Sequence, residues 1–133
     1  MLRLFLIITV IATLSSCNKP TGIKELVSNA DSVAINFYKG DGSMDTVVNV
    51  AILRNKEQVK QLAGYIESSS TKKANCGYDG SLHFFKNNTV ISDIDFRMND
   101  ADCMHFVFSL DGKGYTTTLS GEAKRFLEAI NKK

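Results

Sequence analysis

Two runs rich in β-branched and aromatic residues, at 32–39 and 44–53, are typical of β-strands. Between them lies Gly40-Asp41-Gly42-Ser43, a composition that favours a tight loop. Because so short a loop leaves no room for a crossover connection, the pattern predicts an antiparallel hairpin.

A helical pattern follows the hairpin over residues 55–68. Four apolar residues have the spacing that gives a helix one buried stripe: Val59, Leu62, Ala63 and Ile66. Asn55 is a good N-cap residue, and Gln58 stands three residues later, where the partner of a capping box belongs. The polar stretch at 68–75 then ends the helix in a loop.

Four more strands and a closing helix are indicated downstream. Alternation is clearest at Met104, Phe106, Phe108 and Leu110, which would share one face of a strand. Asn87-Asn88 and Asp111-Gly112-Lys113-Gly114 are turn sequences, and Ser120 can cap the last helix. The strands are 81–86, 89–96, 104–110 and 115–119, and the helix carries the apolar stripe Ala123, Phe126, Leu127 and Ile130.

This order of two strands, a helix, four strands and a helix predicts an α+β fold. Short loops favour antiparallel neighbours, and a helix with one apolar stripe needs a sheet face to cover. We predict one domain over residues 32–133, with an antiparallel sheet and two helices packed on one face. Ahead of it, a further short helix could form, since Ile23, Leu26, Val27 and Ala30 also have helical spacing.

The first 16 residues have the pattern of an export signal. Met1-Leu2-Arg3 is a short basic start, and residues 4–14 form an apolar run interrupted only by threonines. A membrane-spanning helix needs about 20 apolar residues, so this run is too short to span but fits a signal peptide. We therefore predict that residues 1–16 are a signal peptide.

The end of that run, Leu14-Ser15-Ser16-Cys17, resembles the bacterial lipobox, in which an aliphatic and two small residues precede an invariant cysteine. The resemblance implies cleavage before Cys17, lipid on its thiol and an acylated N-terminus, which together hold a chain firmly in a membrane. Residues 17–31 would then be a lipidated tether. An ordinary secretory signal with an incidental cysteine is the alternative.

In size and layout the chain resembles small lipoproteins of the Bacteroidota, a resemblance that implies no particular activity. Surface-exposed lipoproteins of that group usually carry acidic residues just after the cysteine, whereas here Asn18 and Lys19 follow. The resemblance therefore implies an anchor in the outer membrane of the cell envelope, with the domain facing the periplasm.

With Cys17 assigned to lipid, Cys76 and Cys103 remain. The periplasm is oxidising, and each of these cysteines precedes a strand at the same end of an antiparallel meander, so we predict a disulfide. A zinc cluster of these two cysteines with His83 and His105 is the alternative. No CxxC pair supports it, and we predict no metal site.

The charge balance bears on possible partners. Removal of residues 1–16, which contain Arg3 as their one charge, leaves 15 basic residues against 14 acidic ones. Nucleic-acid binding depends on clustered lysine and arginine, so this balance argues against it. It leaves protein partners and small ligands open.

The sequence contains no familiar catalytic motif. His83 and His105 are its two histidines, and either could act as a general base near serine and aspartate residues on neighbouring strands. However, GxSxG, P-loop, GxGxxG and HExxH patterns are all missing from the sequence. We predict a non-enzymatic module that binds an envelope protein or small ligand, without a cofactor. An envelope hydrolase using His83 or His105, and a structural accessory subunit of an envelope assembly, are the alternatives.

Overall fold

The structure, a computed structural model, describes residues 22–40, 44–66, 71 and 76–132. Three helices and six strands make up this part of the chain. In order they are α1 (Gly22–Ser28), β1 (Ser32–Tyr38), β2 (Val47–Leu53), α2 (Lys56–Gly64), β3 (Gly80–Lys86), β4 (Thr89–Arg97), β5 (His105–Leu110), β6 (Lys113–Thr118) and α3 (Gly121–Asn131).

The strands form one antiparallel sheet in the order β2-β1-β3-β4-β5-β6, which confirms the predicted α+β class. Asn87 and Asn88 make the β3–β4 turn with φ values of 51° and 62°, the left-handed conformation that asparagine tolerates. The β5–β6 turn is shorter than predicted. Asp111 and Gly112 also adopt positive φ, so Lys113 already pairs with Leu110.

Both predicted helix caps are present. The Asn55 side chain accepts hydrogen bonds from the backbone N–H groups of Glu57 (2.9 Å) and Gln58 (3.3 Å), and Ser120 accepts one from Ala123 (3.1 Å). Each cap satisfies N–H groups that a helix start would otherwise leave unpaired. The caps therefore fix where α2 and α3 begin.

The prediction that two helices pack on the sheet is wrong, because a third helix, α1, packs there as well. Its residues Ile23 and Val27 are fully buried, and the helix packs against α2 and β4. Its end is closed by bonds from Ser28 Oγ to the carbonyl of Lys24 (2.6 Å) and from Asn29 Nδ2 to that of Glu25 (3.1 Å). Burial of the apolar stripe thus stabilises a helix whose glycine and polar ends disfavour it in isolation.

All three helices cover the same face of the sheet. Along β1, Val33, Ile35 and Phe37 point to this face and are buried, and their alternate neighbours are half-exposed. These strand residues belong to one hydrophobic core with helix residues such as Leu62 and Leu127. The opposite face carries no helix in the described part of the chain. No described helix is long and apolar enough to cross a bilayer.

One end of the sheet is braced by a disulfide and a buried carboxylate. Cys76 and Cys103 are bonded, with their Cα atoms 6.3 Å apart, which confirms the predicted pair. The Asp79 carboxylate is 2% exposed and accepts hydrogen bonds from the Arg97 guanidinium and from two backbone N–H groups, those of Met98 and Asn99. Together these contacts tie the chain entering β3 to the loop between β4 and β5.

Gly80 allows two aromatic rings to pack at this end of the sheet. It lies opposite Phe37 on β1 and Phe96 on β4, whose ring centroids are 6.0 Å apart. A methyl group at position 80 would overlap both the Phe96 ring and the Asn36 carbonyl oxygen. Any side chain there would therefore displace part of the core.

Replacing Gly80 by alanine is expected to lower the free energy of unfolding by about 1–3 kcal/mol, because the Phe96 ring must move. Gly64→Ala is the matched control. Nothing lies within 4 Å of a methyl group there, at the end of α2, and the change should be neutral or stabilise by up to about 1 kcal/mol. Urea unfolding measures both, and equal effects at the two positions would contradict the packing described here.

Candidate functional site

The face of the sheet that carries no helix, called the open face below, combines apolar and polar side chains. Its apolar residues lie towards the β2 side and on β5, and its polar residues occupy β3 and β4. Its members include Val50, Ile52, Ala34, Asn36, Ser81, His83, Asp93, Asp95, Arg97, His105, Val107 and Thr116.

A hydrogen-bonded group of four side chains occupies the centre of the open face. His83 Nδ1 lies 2.5 Å from Asp93 Oδ1, and His83 Nε2 lies 3.0 Å from Ser81 Oγ and 3.2 Å from Asn36 Nδ2. The strand register produces the group, since His83 is opposite Asp93 and Ser81 is opposite Asn36. We call these residues the His83 cluster.

The His83 cluster has the order of atoms found in a serine–histidine–aspartate relay, but its exposure is the reverse of what catalysis needs. Ser81, the nucleophile of such a relay, is 3% exposed, and the Asp93 side chain is 66% exposed. Ser81 also lies in the middle of three paired strands, β1, β3 and β4. The N–H groups of paired strands are used in the sheet, so they are not free to bind an oxyanion.

A second polar group lies beside the disulfide. His105 is 4% exposed, and the ring of Tyr78 packs edge-on against it at 6.5 Å between centroids. The pKa of His105 is lowered, mainly by burial and to a smaller extent by the nearby positive charge of Arg97. His105 Nε2 and Arg97 Nε are both buried without a hydrogen-bond partner among the described residues. The neutral imidazole is therefore the form that this site favours.

Asp95 links the two polar groups. Burial raises the pKa of its carboxyl group, an effect that the charge of His83 opposes and that of Asp93 reinforces. The pKa of Tyr78 is raised, mainly by burial and to a smaller extent by the charge of Asp95. The middle of the open face therefore favours neutral forms of Asp95 and Tyr78.

Two broad clefts reach the open face. The first, about 550 Å³, forms where β4 and β5 separate, because these strands pair only from Ile94 to Arg97. Its lining includes apolar Leu26 and Phe108 and three carboxylates, those of Asp93, Asp95 and Asp111. The second cleft, about 330 Å³, is lined by Ala34, Ile52 and Phe85 among other residues, with Arg54 also in its wall.

The predicted site residues have different outcomes. Cys17 and the signal peptide lie outside the described residues. The structure brings His83 next to a carboxylate but places His105 in the buried group, and neither histidine approaches Cys76 or Cys103 as metal ligands do. The cysteine sulfurs lie near the Asp100 carboxylate, but they are joined in the disulfide and are not thiolate ligands.

Sequence reasoning missed Asp79 and the pairing of His83 with Asp93. Asp79 stands in an unremarkable loop sequence, and its role depends on contacts with residues 97–99. The pairing of His83 and Asp93 could have been found by counting outward from the Asn87-Asn88 turn. That count is uncertain by one residue, however, because a bulge lies between Phe84 and Phe85.

Comparison with known proteins identifies no relative from which a function could be inferred. No protein-family model matches the chain, and no characterised protein and no solved structure shows significant similarity to it.

The depressed pKa of His105 predicts a loss of stability in mild acid. Its folded pKa lies below the usual value of 6.5, so the unfolded chain takes up this proton first. The contribution of His105 to the free energy of unfolding is therefore constant above about pH 6.5 and is lost as the pH falls below that value. Between about pH 7.5 and pH 5.5, the fall in melting temperature should be smaller for His105→Gln than for the wild type. His83→Gln should retain the part of this fall in melting temperature that is due to His105. Identical slopes for wild type and His105→Gln would contradict the assignment.

Proposed function

We propose that this protein is a lipid-anchored, non-enzymatic binding protein of the bacterial cell envelope, and that a protein partner docks on its open face. The observation that carries the proposal is the one-sided packing of the sheet. Three helices cover one face, and the other retains half-buried apolar side chains such as Ala34, Phe85 and Val107 beside the His83 cluster.

The shape of the open face favours a protein over a small molecule. Small-molecule sites are usually concave and bury most of the ligand, whereas both clefts of the open face are widely open to solvent. Protein interfaces commonly combine an apolar centre with polar groups around it. The acidic lining of the larger cleft, at Asp93 and Asp111, favours a partner with positive charge at that position.

The proposed location rests on the N-terminal sequence. The lipobox-like residues 14–17 support cleavage before Cys17 and lipid on its thiol, with residues 18–21 connecting this anchor to α1. The Cys76–Cys103 disulfide is compatible with an oxidising compartment. We place the anchor in the outer membrane, with the domain on the periplasmic side.

A hydrolase is the second candidate, because the Ser81–His83–Asp93 geometry specifically favours it. Against it stand the burial of Ser81 and the lack of free N–H donors in a paired sheet. Neither of the two clefts described on the open face is lined by Ser81 or His83. Covalent labelling of the wild type, but not of Ser81→Ala, by a serine-directed phosphonate would reverse our choice.

Docking on the open face predicts where a partner can be cross-linked in intact cells. A photoreactive p-benzoylphenylalanine in place of Ser109, which lines the larger cleft, should give a reproducible cross-linked product. The same amino acid in place of exposed Glu57, on α2, should not, because α2 lies on the other side of the sheet. Adding Val107→Lys to the Ser109 variant should abolish the product, since a charge would enter the apolar part of the face. Equal cross-linking at positions 57 and 109 would contradict the proposal.

A further inference from the structure

The outermost strand β2 exposes more apolar side chain than any other described element. Val47, Val48, Val50 and Ile52 are 47–58% exposed, whereas large hydrophobic residues elsewhere are mostly buried. The opposite edge strand, β6, is different. Thr71 hydrogen-bonds through both its N–H and its hydroxyl to the carbonyl of Thr116 on β6, so part of that edge is covered.

The backbone of β2 also has groups directed outward. Tyr38 of β1 donates its N–H to Asp79, on the β3 side. Hydrogen-bond direction alternates along a strand, so Asn36 and Ala34 also bond towards β3. Their partners across the β1–β2 pair are Val50 and Ile52, whose N–H and C=O groups must therefore point away from β1. No described strand lies beyond β2 to receive them.

This edge is held in place before any partner binds. Asn49 Nδ2 donates to the backbone carbonyl and to the side-chain oxygen of Asn131 on α3, each at 2.9 Å. Leu53, at the other end of the strand, is buried in the core. An ordered edge loses little conformational freedom when a second strand is added, so pairing is less costly than for a mobile segment.

The sequence of β2 suits antiparallel pairing with a second copy of itself. Residues 46–53 carry no charge, an acidic residue (Asp45) precedes them and a basic residue (Arg54) follows. An antiparallel second copy centred on Val50 places Val50 against Val50 and Val48 beside Ile52. It also brings the Asp45 end of each strand to the Arg54 end of the other. Apolar and opposite-charge cross-strand neighbours both stabilise antiparallel pairs.

We propose that two copies of this chain associate through β2, antiparallel about a two-fold axis near Val50, into one continuous twelve-stranded sheet. Both open faces then lie on the same side of the joint sheet. Val48 is the bulged residue, where the β1–β2 register shifts. Because Ile52 of one copy faces Val48 of the other, the bulge limits regular pairing to residues 49–51. So short an interface gives a dimer that dissociates on dilution. The proposal does not depend on the proposed function.

Sedimentation of the native protein, in density-matched detergent if it carries lipid, tests this pairing. The wild type should pass from monomer to dimer between micromolar and millimolar concentration. Val50→Lys should weaken the dimer about tenfold or more, because two like charges replace two apolar side chains at the axis. Val90→Lys is the matched control, since Val90 is an exposed valine (45%) on β4, away from β2. It should leave the dimer unchanged.

Charge complementation keeps the test decisive. Mixing Val50→Lys with Val50→Glu should restore dimers that neither variant forms alone. Circular dichroism checks that each variant is folded. A wild type that stays monomeric throughout, or a folded Val50→Lys that dimerises as the wild type does, would overturn the proposal. A monomeric wild type whose position 50 cross-links to a different protein would assign the edge to a foreign strand and overturn it equally.

Discussion

Burial of a single face of the sheet is the constraint on which the rest of this structure depends. Apolar side chains alternate in β1, β3 and β4 so that one face, with residues such as Ile35, Leu82 and Ile94, meets three helices. Within the part of the chain that the structure describes, helices cover only that face. The other face must therefore be stable in contact with water, which explains its hydrogen-bonded polar centre, and β2 remains at the edge.

The disulfide and Asp79 join two segments of the chain at one end of the sheet. The Cys76–Cys103 bond and the Asp79 carboxylate hold the chain just before β3 to the chain at the end of β4 and after it. Removing one partner of a buried charge pair leaves the other charge uncompensated. Arg97, which donates to Asp79, also lies opposite His105 and lowers the pKa of that residue, so the pH response of the fold originates at the same end of the sheet.

Local sequence predicted much of the fold, and the exceptions have a common cause. The alternation of β1, the caps at Asn55 and Ser120 and the Asn87-Asn88 turn are decided by neighbours within a few residues, and all were predictable. The packing of α1 depends on contacts with α2 and β4, and the His83–Asp93 pair depends on strand register. Neither contact is encoded within a short window, so the candidate site was less predictable than the elements that carry it.

Lipid attachment at Cys17 is the claim that decides where such a face can act, because an anchored domain meets only partners in or near its membrane. Intact-mass and N-terminal peptide mass spectrometry of the native protein tests it most directly. The account predicts a mature chain that begins at Cys17 and carries diacylglycerol on the thiol and an acyl group on the amine. A native chain in which Cys17 is unmodified, or is still joined to Ser16, would contradict it.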